Sequence, residues 1–380
     1  MSPDLTKNDG EKTLRKSGGL TPDEDPGGGA EFYGTIVTVM ESPLRQGEIW
    51  VGTDDGKVQV TRNDGATWEE VGRNMQGLPS RDLYVSRVEP SHHARGTTYV
   101  SIDGHEAGIF KPFVYKTADY GKTWTNITGN LPEMGPVYVV AEDPKNPNLL
   151  FAGTEFAVHY TVDGGKQWSK LNNNMPTVAV HDLVIHPRDN DLIAGTHGRG
   201  IWVMDDITPL QQLSEKVRSA EAHLFESRTA TQWLRLQPHG TGGTLSFRGE
   251  NPTRNAVVNY YLGSAATGQV QFVIADVTGD NKRTLNVPAR AGINRLEWPM
   301  TFDPSPEALA AFQQQQQAAQ QAGGQGGGGG GGGGGRGRGN VGPIGEPAGP
   351  GVYRVTMTVN GKSYTTKLTV REDPLHDTLK

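Results

Sequence analysis

Four short segments of the sequence carry side chains that could bind or transform a ligand. Carboxylates beside aromatic rings such as Phe110 and Phe156 are typical of sites that bind sugars or peptides. Arg199 lies between Gly198 and Gly200, and its guanidinium can make two parallel hydrogen bonds to a carboxylate or sulfate. The candidate ligand-binding residues are Asp54, Asp55, Asp103, His105, Glu106, Glu155, His197 and Arg199.

The same residues also have a purely structural interpretation. Asp-Gly pairs are common in turns, and loop carboxylates are commonly solvated. Arg199 can equally anchor the chain that follows it. Glycoside hydrolysis needs two carboxylates about 5–9 Å apart with separated pKa values. Asp54 and Asp103 could form such a pair, but nothing in the sequence distinguishes them, so no catalytic residue is assigned.

Composition narrows the chemistry further. The chain has no cysteine, which excludes disulfides, thiolate zinc sites and cysteine nucleophiles. His92-His93, and the pair His181 and His186, lack a carboxylate or a third histidine at ligand spacing. The sequence therefore predicts no metal site and no cofactor.

Charge and hydropathy limit the partners. The 42 acidic and 36 basic side chains leave a net charge of −6, which argues against nucleic acid or an anionic membrane as partner. No run approaches the roughly 18 apolar residues of a membrane span. The polar start of this chain is not a signal peptide. A peptide or carbohydrate ligand is the expectation.

A repeated motif predicts how these segments are positioned. The pattern Thr-x-(Asp/Asn)-x-Gly-x-(Thr/Gln)-Trp occurs three times, at a spacing close to the roughly 40–50 residues of a four-stranded propeller blade. The Asp or Asn oxygen can accept from the backbone two residues on, the Gly supplies positive φ, and the Trp buries its ring against the neighbouring hairpin. Its structural residues are Thr61, Asn63, Gly65, Trp68, Thr117, Asp119, Gly121, Trp124, Thr161, Asp163, Gly165 and Trp168.

This motif resembles the Asp-box (BNR) repeat of sialidase-like and sortilin-like (VPS10-like) β-propellers. Residues 1–213 resemble, more closely, the bacterial Asp-box "glycosyl hydrolase" or sortilin N-terminal-like proteins, in segments such as WVGTDDGKVQVTRNDGATW and LLFAGTEFAVHYTVDGGKQW. The resemblance implies an all-β fold with a partial propeller of about four blades. It also implies that Asp boxes are structural, and that ligands bind at the opposite ends of the blades, where the candidate residues lie.

The sequence divides into five predicted parts. Residues 1–30 are a polar segment that resembles the remnant of a preceding blade, and 31–207 hold the blades. A connector over 208–242 leads to a small β-sandwich over 243–372, which resembles the immunoglobulin-like domains of secreted bacterial proteins. A Gln/Gly-rich insertion over 303–350 is predicted to be disordered, because polyglycine cannot recover its ordering entropy. Its Ala/Gln portion could form a short helix.

Two local signals complete this map. Asn360-Gly361 between alternating runs predicts a β-hairpin. Arg336 and Arg338 resemble an RGG-like RNA-binding element, but a solvated linker is the preferred interpretation in an acidic chain.

Four blades with incomplete ends would leave open sheet edges. We therefore expect the remaining blades in an N-terminal part that precedes this sequence, with homo-oligomeric closure as the alternative. The predicted function is a secreted or periplasmic binding or scaffold module that recognises a peptide or glycan. The alternative is a glycoside hydrolase of the sialidase-like class, although the Arg-Ile-Pro segment of that class does not occur here.

Overall fold

The computed structural model describes residues 2–7, 34–171, 174–234, 251–263, 268–322 and 345–375. The chain divides into two compact units, Met1–Leu213 and Ser214–Lys380. Both units consist mainly of antiparallel strands, which confirms the all-β prediction. In the described ranges, no helix has the length and apolar character needed to cross a membrane.

Unit 1 contains four antiparallel sheets, whose strands follow sequence order. The first sheet is formed by β1 (Ile36–Glu41), β2 (Ile49–Thr53), β3 (Val58–Thr61) and β4 (Glu69–Glu70). The second is formed by β5 (Tyr84–Pro90), β6 (Thr98–Gly104), β7 (Ile109–Thr117) and β8 (Thr125–Asn126). The third is formed by β9 (Val137–Glu142), β10 (Leu150–Thr154), β11 (Val158–Thr161) and β12 (Ser169–Lys170). The fourth is formed by β13 (Val180–Ile185), β14 (Leu192–Thr196) and β15 (Ile201–Met204).

The first strands of the four sheets lie side by side, in the order β1, β5, β9, β13. The hydrophobic core fills the space between successive sheets. One cluster around Trp50 and Tyr115 joins the first two sheets, and another around Leu150 and Trp168 joins the second and third. The sheets are therefore arranged as successive propeller-like blades.

The three copies of the motif form three turns of one geometry, each joining the third strand of a sheet to the fourth. In each repeated turn the Thr hydroxyl donates to the Asp or Asn Oδ1 at 2.6–2.9 Å and accepts the Gly N–H at 2.9–3.1 Å. The same Oδ1 accepts the N–H four residues on, at 2.9–3.0 Å, rather than two residues on as the sequence predicted. The reason is a pair of left-handed residues that wraps the chain around this oxygen: Asp64 and Gly65, Tyr120 and Gly121, Gly164 and Gly165.

Two of the three motif tryptophans bind the preceding sheet. Trp124 Nε1 donates to the Val71 carbonyl at 3.0 Å, and Trp168 Nε1 donates to the Ile127 carbonyl at 2.9 Å. Each acceptor is the residue directly after the fourth strand of the preceding sheet: Val71 follows β4 and Ile127 follows β8. We call this contact between neighbouring sheets the blade joint.

The glycine of each repeated turn is part of the same joint. A Cβ added at Gly121 would lie 2.5 Å from Val71 Cβ, and one added at Gly165 would lie 2.8 Å from Ile127 Cβ. Real Cβ atoms do not approach other carbons so closely. The glycines are therefore required for the close approach of the sheets as well as for their positive φ.

The fourth sheet ends the series differently. Within the described ranges it has three strands, and β15 pairs only with β14. On β15, Ile201 is 75% exposed and Val203 is 54% exposed. The outer edge of this sheet is therefore apolar and open in the described part of the chain.

Acidic side chains are buried near the first strands of the sheets. Glu142, at the end of β9, accepts hydrogen bonds from the Ser91 and Tyr99 hydroxyls and from the His92 N–H. These donors belong to the second sheet and the turn after β5. Glu142 therefore links the second sheet to the third.

Glu89, on β5, lies in a less favourable environment for a charge. Burial raises the pKa of Glu89 to about 7. The charge of Arg87 and a hydrogen bond from the Glu142 backbone oppose this shift, while the carboxylates of Glu142 and Asp182 add to it. Arg87 is also ion-paired with Asp182 of β13. An ionised Glu89 is therefore poorly solvated in the folded chain.

Unit 2 is built from two sheets that share one core around Phe272, Trp298 and Met357. One sheet contains β16 (Ala222–Leu224), β18 (Ala256–Leu262) and β21 (Gly292–Trp298). The other contains β17 (Ala230–Gln232), β23 (Lys362–Glu372), β22 (Gly351–Val359), β19 (Gln269–Ala275) and β20 (Lys282–Pro288). The immunoglobulin-like assignment stays a prediction.

The hairpin between β22 and β23 forms as the sequence predicted. Val359 pairs with Lys362, and the two turn residues have φ of 49° at Asn360 and 73° at Gly361. Positive φ at both turn residues matches the right-handed twist of the strands. The segment TLSFRG, residues 244–249, also has a sequence that predicts a strand, and it lies outside the described residues.

The helices are short except for one. They are α1 (Thr208–Gln212), α2 (Glu215–Arg218) and α3 (Pro306–Ala322). The helix α3 falls in the Ala/Gln-rich part of the insertion 303–350, where the sequence allowed a short helix. Alanine and glutamine favour helix, which accounts for its formation. The structure does not describe the polyglycine run or the arginines Arg336 and Arg338. The predicted connector 208–242 contains two short strands, β16 and β17.

We predict that replacing Trp168 by alanine lowers the free energy of unfolding of unit 1 by about 3–5 kcal/mol, as for a large aromatic removed from a core. Trp168 is 4% exposed and donates to Ile127. Chemical denaturation would measure the loss. The matched variant is Trp68→Ala, which removes a partly buried indole that makes no described blade joint, and it should cost less. Equal losses would contradict a stabilising role for the joint.

A second prediction concerns pH. Because the folded pKa of Glu89 lies above its ordinary value of 4.5, the folded chain keeps a proton that the unfolded chain releases. This group's contribution therefore favours folding below about pH 4.5 and is lost as pH rises to about 7. Glu89→Gln should be more stable than wild type at pH 8 by up to about 3 kcal/mol, with little difference at pH 4.5. A pH-independent difference in urea unfolding would refute this.

Candidate functional site

Four rings from three successive sheets form one contiguous row. Tyr138 and His181 are stacked, with centroids 4.2 Å apart and planes 18° from parallel. His105 meets Tyr138 edge-on at 6.3 Å, and His197 lies 5.2 Å from His181. We call these four side chains the ring row.

Sheet geometry brings the four rings to one end of unit 1. In an antiparallel sheet, the turn between the second and third strands lies at the same end as the start of the first strand. His105 follows β6 and His197 follows β14, whereas Tyr138 and His181 stand near the starts of β9 and β13. The repeated turns lie at the opposite ends of their sheets.

The turn after β14 is closed tightly. The Thr196 hydroxyl donates to the Gly200 carbonyl at 2.5 Å, and the His197 N–H donates to the Ala179 carbonyl at 2.9 Å. Gly198 and Gly200 have φ of 79° and 73°, a conformation that side chains disfavour. This turn fixes the backbone of His197 beside the start of β13.

Two carboxylates bind the ring row. Asp103, 5% exposed, binds His105 through Nδ1 at 2.5 Å and through its N–H at 3.0 Å. The Tyr138 hydroxyl donates to Glu155. Burial, together with this hydrogen bond, raises the pKa of Tyr138, so its hydroxyl stays protonated at neutral pH. We call the ring row with Asp103 and Glu155 the polar ledge.

The surroundings of His181 disfavour a positive charge on its ring. Partial desolvation, followed by the neighbouring His197, lowers the pKa of His181, and the carboxylates of Glu155 and Asp103 oppose this shift. The neutral imidazole can both donate and accept a hydrogen bond. At neutral pH the ledge therefore presents an imidazole, a phenol and carboxylates, which suit hydroxyl and amide groups.

An apolar patch adjoins the polar ledge. Phe110, Met134 and Phe156 are large hydrophobic residues with exposed side chains. The Gly135 N–H donates to the Phe110 carbonyl at 2.9 Å, and a Cβ at Gly135 would lie 3.7 Å from the Phe156 ring. Because Phe156 follows Glu155 in the chain, the patch continues the ledge. Exposed rings of this kind can stack on apolar faces of a ligand.

Two of the candidate carboxylates, Asp54 and Asp55, lie away from the polar ledge. Asp54 Oδ1 accepts the Gly34 and Thr35 N–H groups at 2.9 and 2.8 Å. Asp55 accepts the Lys7 N–H at 2.6 Å, and also binds the Thr53 hydroxyl. Both carboxylates are buried and hold the chain of unit 1 itself. They do not join the polar ledge, and Asp54 does not pair with Asp103.

The remaining candidates divide between the ledge and its surroundings. Asp103, His105, Glu155 and His197 meet in the ledge, while Glu106 is exposed next to His105. Arg199 is exposed at the tip of its turn, and its carbonyl accepts the Trp202 indole N–H at 3.1 Å. No three histidine or acidic side chains of the described ranges are arranged to hold a metal ion.

Sequence reasoning missed Tyr138 and His181, since both lie on strands rather than in loops. A signal was nevertheless present. Each is the second residue of its strand and follows a buried valine, Val137 or Val180. Ser86 has the equivalent position in β5, after buried Val85. A ring thus recurs at the same place in two successive sheets, the third and the fourth.

Comparisons with known proteins give partial matches. No family model matches the chain. An oligoxyloglucan-reducing end-specific xyloglucanase of Emericella nidulans is 28% identical over 110 residues, which are 29% of this chain and 13% of that protein. The chain thus matches only a small part of the length of this curated relative.

Solved structures with a similar fold include two bacterial proteins. A GH74 xyloglucanase from Xanthomonas campestris is 23% identical, with a TM-score of 0.37, over 47% of this chain and 29% of its own. An auxiliary nutrient binding protein from Bacteroides thetaiotaomicron is 14% identical, with a TM-score of 0.38, over 48% of this chain and 41% of its own.

We predict that His181 titrates below the ordinary histidine pKa of 6.5, and that His197→Ala raises its pKa. Removing a neighbouring imidazole removes repulsion between two cations. Histidine side-chain NMR as a function of pH would measure both values. His223 in unit 2 also has a lowered pKa, caused by burial and then by Lys216, and serves as the control that should not move. An unchanged His181 would show that the two rings do not interact.

Proposed function

We propose that unit 1 is a ligand-binding module, and that the polar ledge with its apolar patch is the binding surface for a peptide or glycan. The observation that carries this proposal is the ring row, in which side chains of three successive sheets meet at one end of the unit. Packing of the sheets against one another does not explain this row, because His105, His181 and His197 are exposed.

The chemistry of the ledge supports a hydroxyl-rich or amide-rich ligand. Asp103 and Glu155 can accept hydrogen bonds, and neutral His181 can accept or donate. Phe110 and Phe156 offer rings for stacking on a sugar or an apolar side chain. This combination of a few polar groups with exposed rings is typical of small-ligand sites.

Glycoside hydrolysis is the second candidate. The observation that favours it is the presence of two carboxylates, Asp103 and Glu155, in one ledge, since glycosidases use a carboxylate pair. Against it, each carboxylate is already hydrogen-bonded to a neighbouring ring group, His105 or Tyr138. Binding without turnover is therefore the preferred function.

The repeated turn is also the basis for proposing a propeller family and a cellular location. Its hydrogen-bond pattern supports an Asp-box propeller of the sortilin-like kind, which is in turn the basis for a secreted or periplasmic location.

Glycan and peptide arrays probed with the whole chain test the binding proposal. Tyr138→Phe and His181→Ala should each weaken binding of any ligand found, because they remove ledge groups. His223→Ala in unit 2 is the matched control and should bind normally. Hydrolysis of a chromogenic glycoside that is lost in Glu155→Gln would favour the hydrolase instead. Binding that survives both ledge variants would reject the ledge as the site.

We predict that Arg199→Ala weakens binding of an anionic ligand by about 1.5–3 kcal/mol, the range for a hydrogen bond to a charged group. Arg199 is exposed, so the fold should be unaffected. Asp163→Ala is the converse variant, because Asp163 accepts N–H groups inside a repeated turn. It should lower the melting temperature and leave affinity unchanged. Calorimetric titration of both variants would reveal the reverse pattern if ligands bind at the repeated turns.

A further inference from the structure

A pocket of about 160 Å³ lies between the first two sheets of unit 1, beside the chain that links them. The linking segment is residues 71–83, between the end of β4 and the start of β5. None of the described residues that line the pocket belongs to the polar ledge. We call this cavity the link pocket.

The wall of the link pocket is apolar. Val58 of β3 and Ile102 of β6 come from the two neighbouring sheets, and three further apolar side chains come from the linking segment: Met75, Leu78 and Leu83. All five belong to the core cluster between the first two sheets or pack against it. Native interiors leave few voids larger than a water molecule. An apolar cavity of about 150 Å³ is large enough to hold one benzene ring. The wall therefore fits one small apolar body.

Basic side chains surround the same pocket. Of the lining residues that the structure describes, four are basic and one, Glu70, is acidic. Two of the four basic side chains already have a carboxylate nearby. Lys7 is ion-paired with Asp82, and Arg73 Nε lies 3.7 Å from a carboxylate oxygen of Glu70. These two pairs leave the other two cations, Lys57 and Arg81, to determine the charge of the pocket.

Lys57 and Arg81 make hydrogen bonds to neutral groups. Lys57 Nζ donates to the Thr6 carbonyl at 2.5 Å, and Arg81 Nη1 donates to the Gly72 carbonyl at 3.3 Å. An ammonium or guanidinium group has more N–H donors than one such bond uses. Within the described part of the chain, both residues therefore keep a positive charge and donors for an anion. A guanidinium can bind a carboxylate through two parallel hydrogen bonds.

The combination of wall and charge is specific. The chain as a whole carries a net charge of −6, so a pocket whose unbalanced charge is positive differs from the rest of the molecule. A cleft that carries one sign of charge attracts ligands of the opposite sign. A neutral ring would fill the apolar wall and leave Lys57 and Arg81 without a counter-ion. A small inorganic anion would leave the apolar wall in contact with water.

We infer that the link pocket binds a small carboxylic acid in its ionised form, with a single aromatic ring or an apolar group of similar size. The apolar group contacts the wall at Met75, and the carboxylate binds Lys57 and Arg81. Because the pocket and the polar ledge have no lining residue in common, this inference does not depend on the proposed function.

Benzoate is the probe for the first test. The chain is labelled with methyl-¹³C methionine, and Met75→Leu assigns the signal of the pocket wall. Sodium benzoate should shift the Met75 signal in a saturable way, because an aromatic ring displaces the resonances of the groups it contacts. Met357, in the core of unit 2, is the internal control and should not shift. A Met75 signal that does not respond to benzoate would overturn the inference.

Two further compounds separate the roles of ring and charge. Benzyl alcohol has the ring without the carboxylate, and acetate has the carboxylate without the ring. Each should need at least a tenfold higher concentration than benzoate for half-saturation of the Met75 shift. Benzyl alcohol that binds as tightly as benzoate would show a purely apolar cavity, and acetate that binds as tightly would show a simple anion site. Either result would overturn the inference.

Charge variants locate the carboxylate. The double variant Lys57→Gln with Arg81→Gln should weaken benzoate binding at least tenfold in calorimetric titration. The matched control is Lys122→Gln with Lys166→Gln, which removes two exposed cations from the repeated turns and should bind benzoate normally. Equal affinities in the two double variants would contradict the assignment of Lys57 and Arg81.

Filling the pocket locates the ring. Leu78 is partly buried, so Leu78→Phe can place its own ring against the wall. Benzoate should raise the melting temperature of the wild-type chain, because it binds the folded state. It should not raise that of Leu78→Phe. A folded Leu78→Phe chain that still binds benzoate with wild-type affinity would overturn the inference, and the charge variants test it independently of how this substitution folds.

Discussion

The close approach of neighbouring sheets at a side-chain-free residue is the constraint on which unit 1 depends. Gly121 and Gly165 allow Val71 and Ile127 to come within a distance that any Cβ would prevent. The tryptophan three residues later then reaches a backbone carbonyl of the preceding sheet. A short motif thereby sets the spacing of whole sheets, because one turn supplies the φ angle, the contact and the hydrogen bond.

The geometry of the polar ledge depends on this spacing of the sheets. Its rings come from the second, third and fourth sheets, so a shift of one sheet would separate His105 from Tyr138 or Tyr138 from His181. The joints lie at the far ends of the same sheets. Residues that stabilise unit 1 and residues proposed to bind a ligand are therefore separated along each strand, and the ledge can change in sequence without loss of the joints.

Sequence reasoning identified features determined by local chemistry. The repeated turns and the hairpin at Asn360 follow from φ preferences, which a short motif reveals. It did not distinguish Asp54 and Asp55 from Asp103, because all three stand near the end of a second strand. Only the hydrogen bonds from residues 34–35 and Lys7 set the first two apart. Tyr138 and His181 were missed because their proximity depends on packing between sheets. The helix at Pro306–Ala322 agrees with the helix-forming alanine and glutamine residues of that stretch, for which the sequence allowed a short helix within the insertion.

The open strand β15 has a consequence for the behaviour of the chain in concentrated solution. In the part of the chain that the structure describes, its outer edge has no partner strand, and Ile201 and Val203 stand exposed on it. Natural sheets commonly protect such edges with lysine, proline or a bulge. The sequence Ile-Trp-Val-Met of β15 contains none of these residues. This edge is therefore the place where self-association into extended sheets would begin. Ile201→Lys would place a charge on the edge strand and so suppress such pairing.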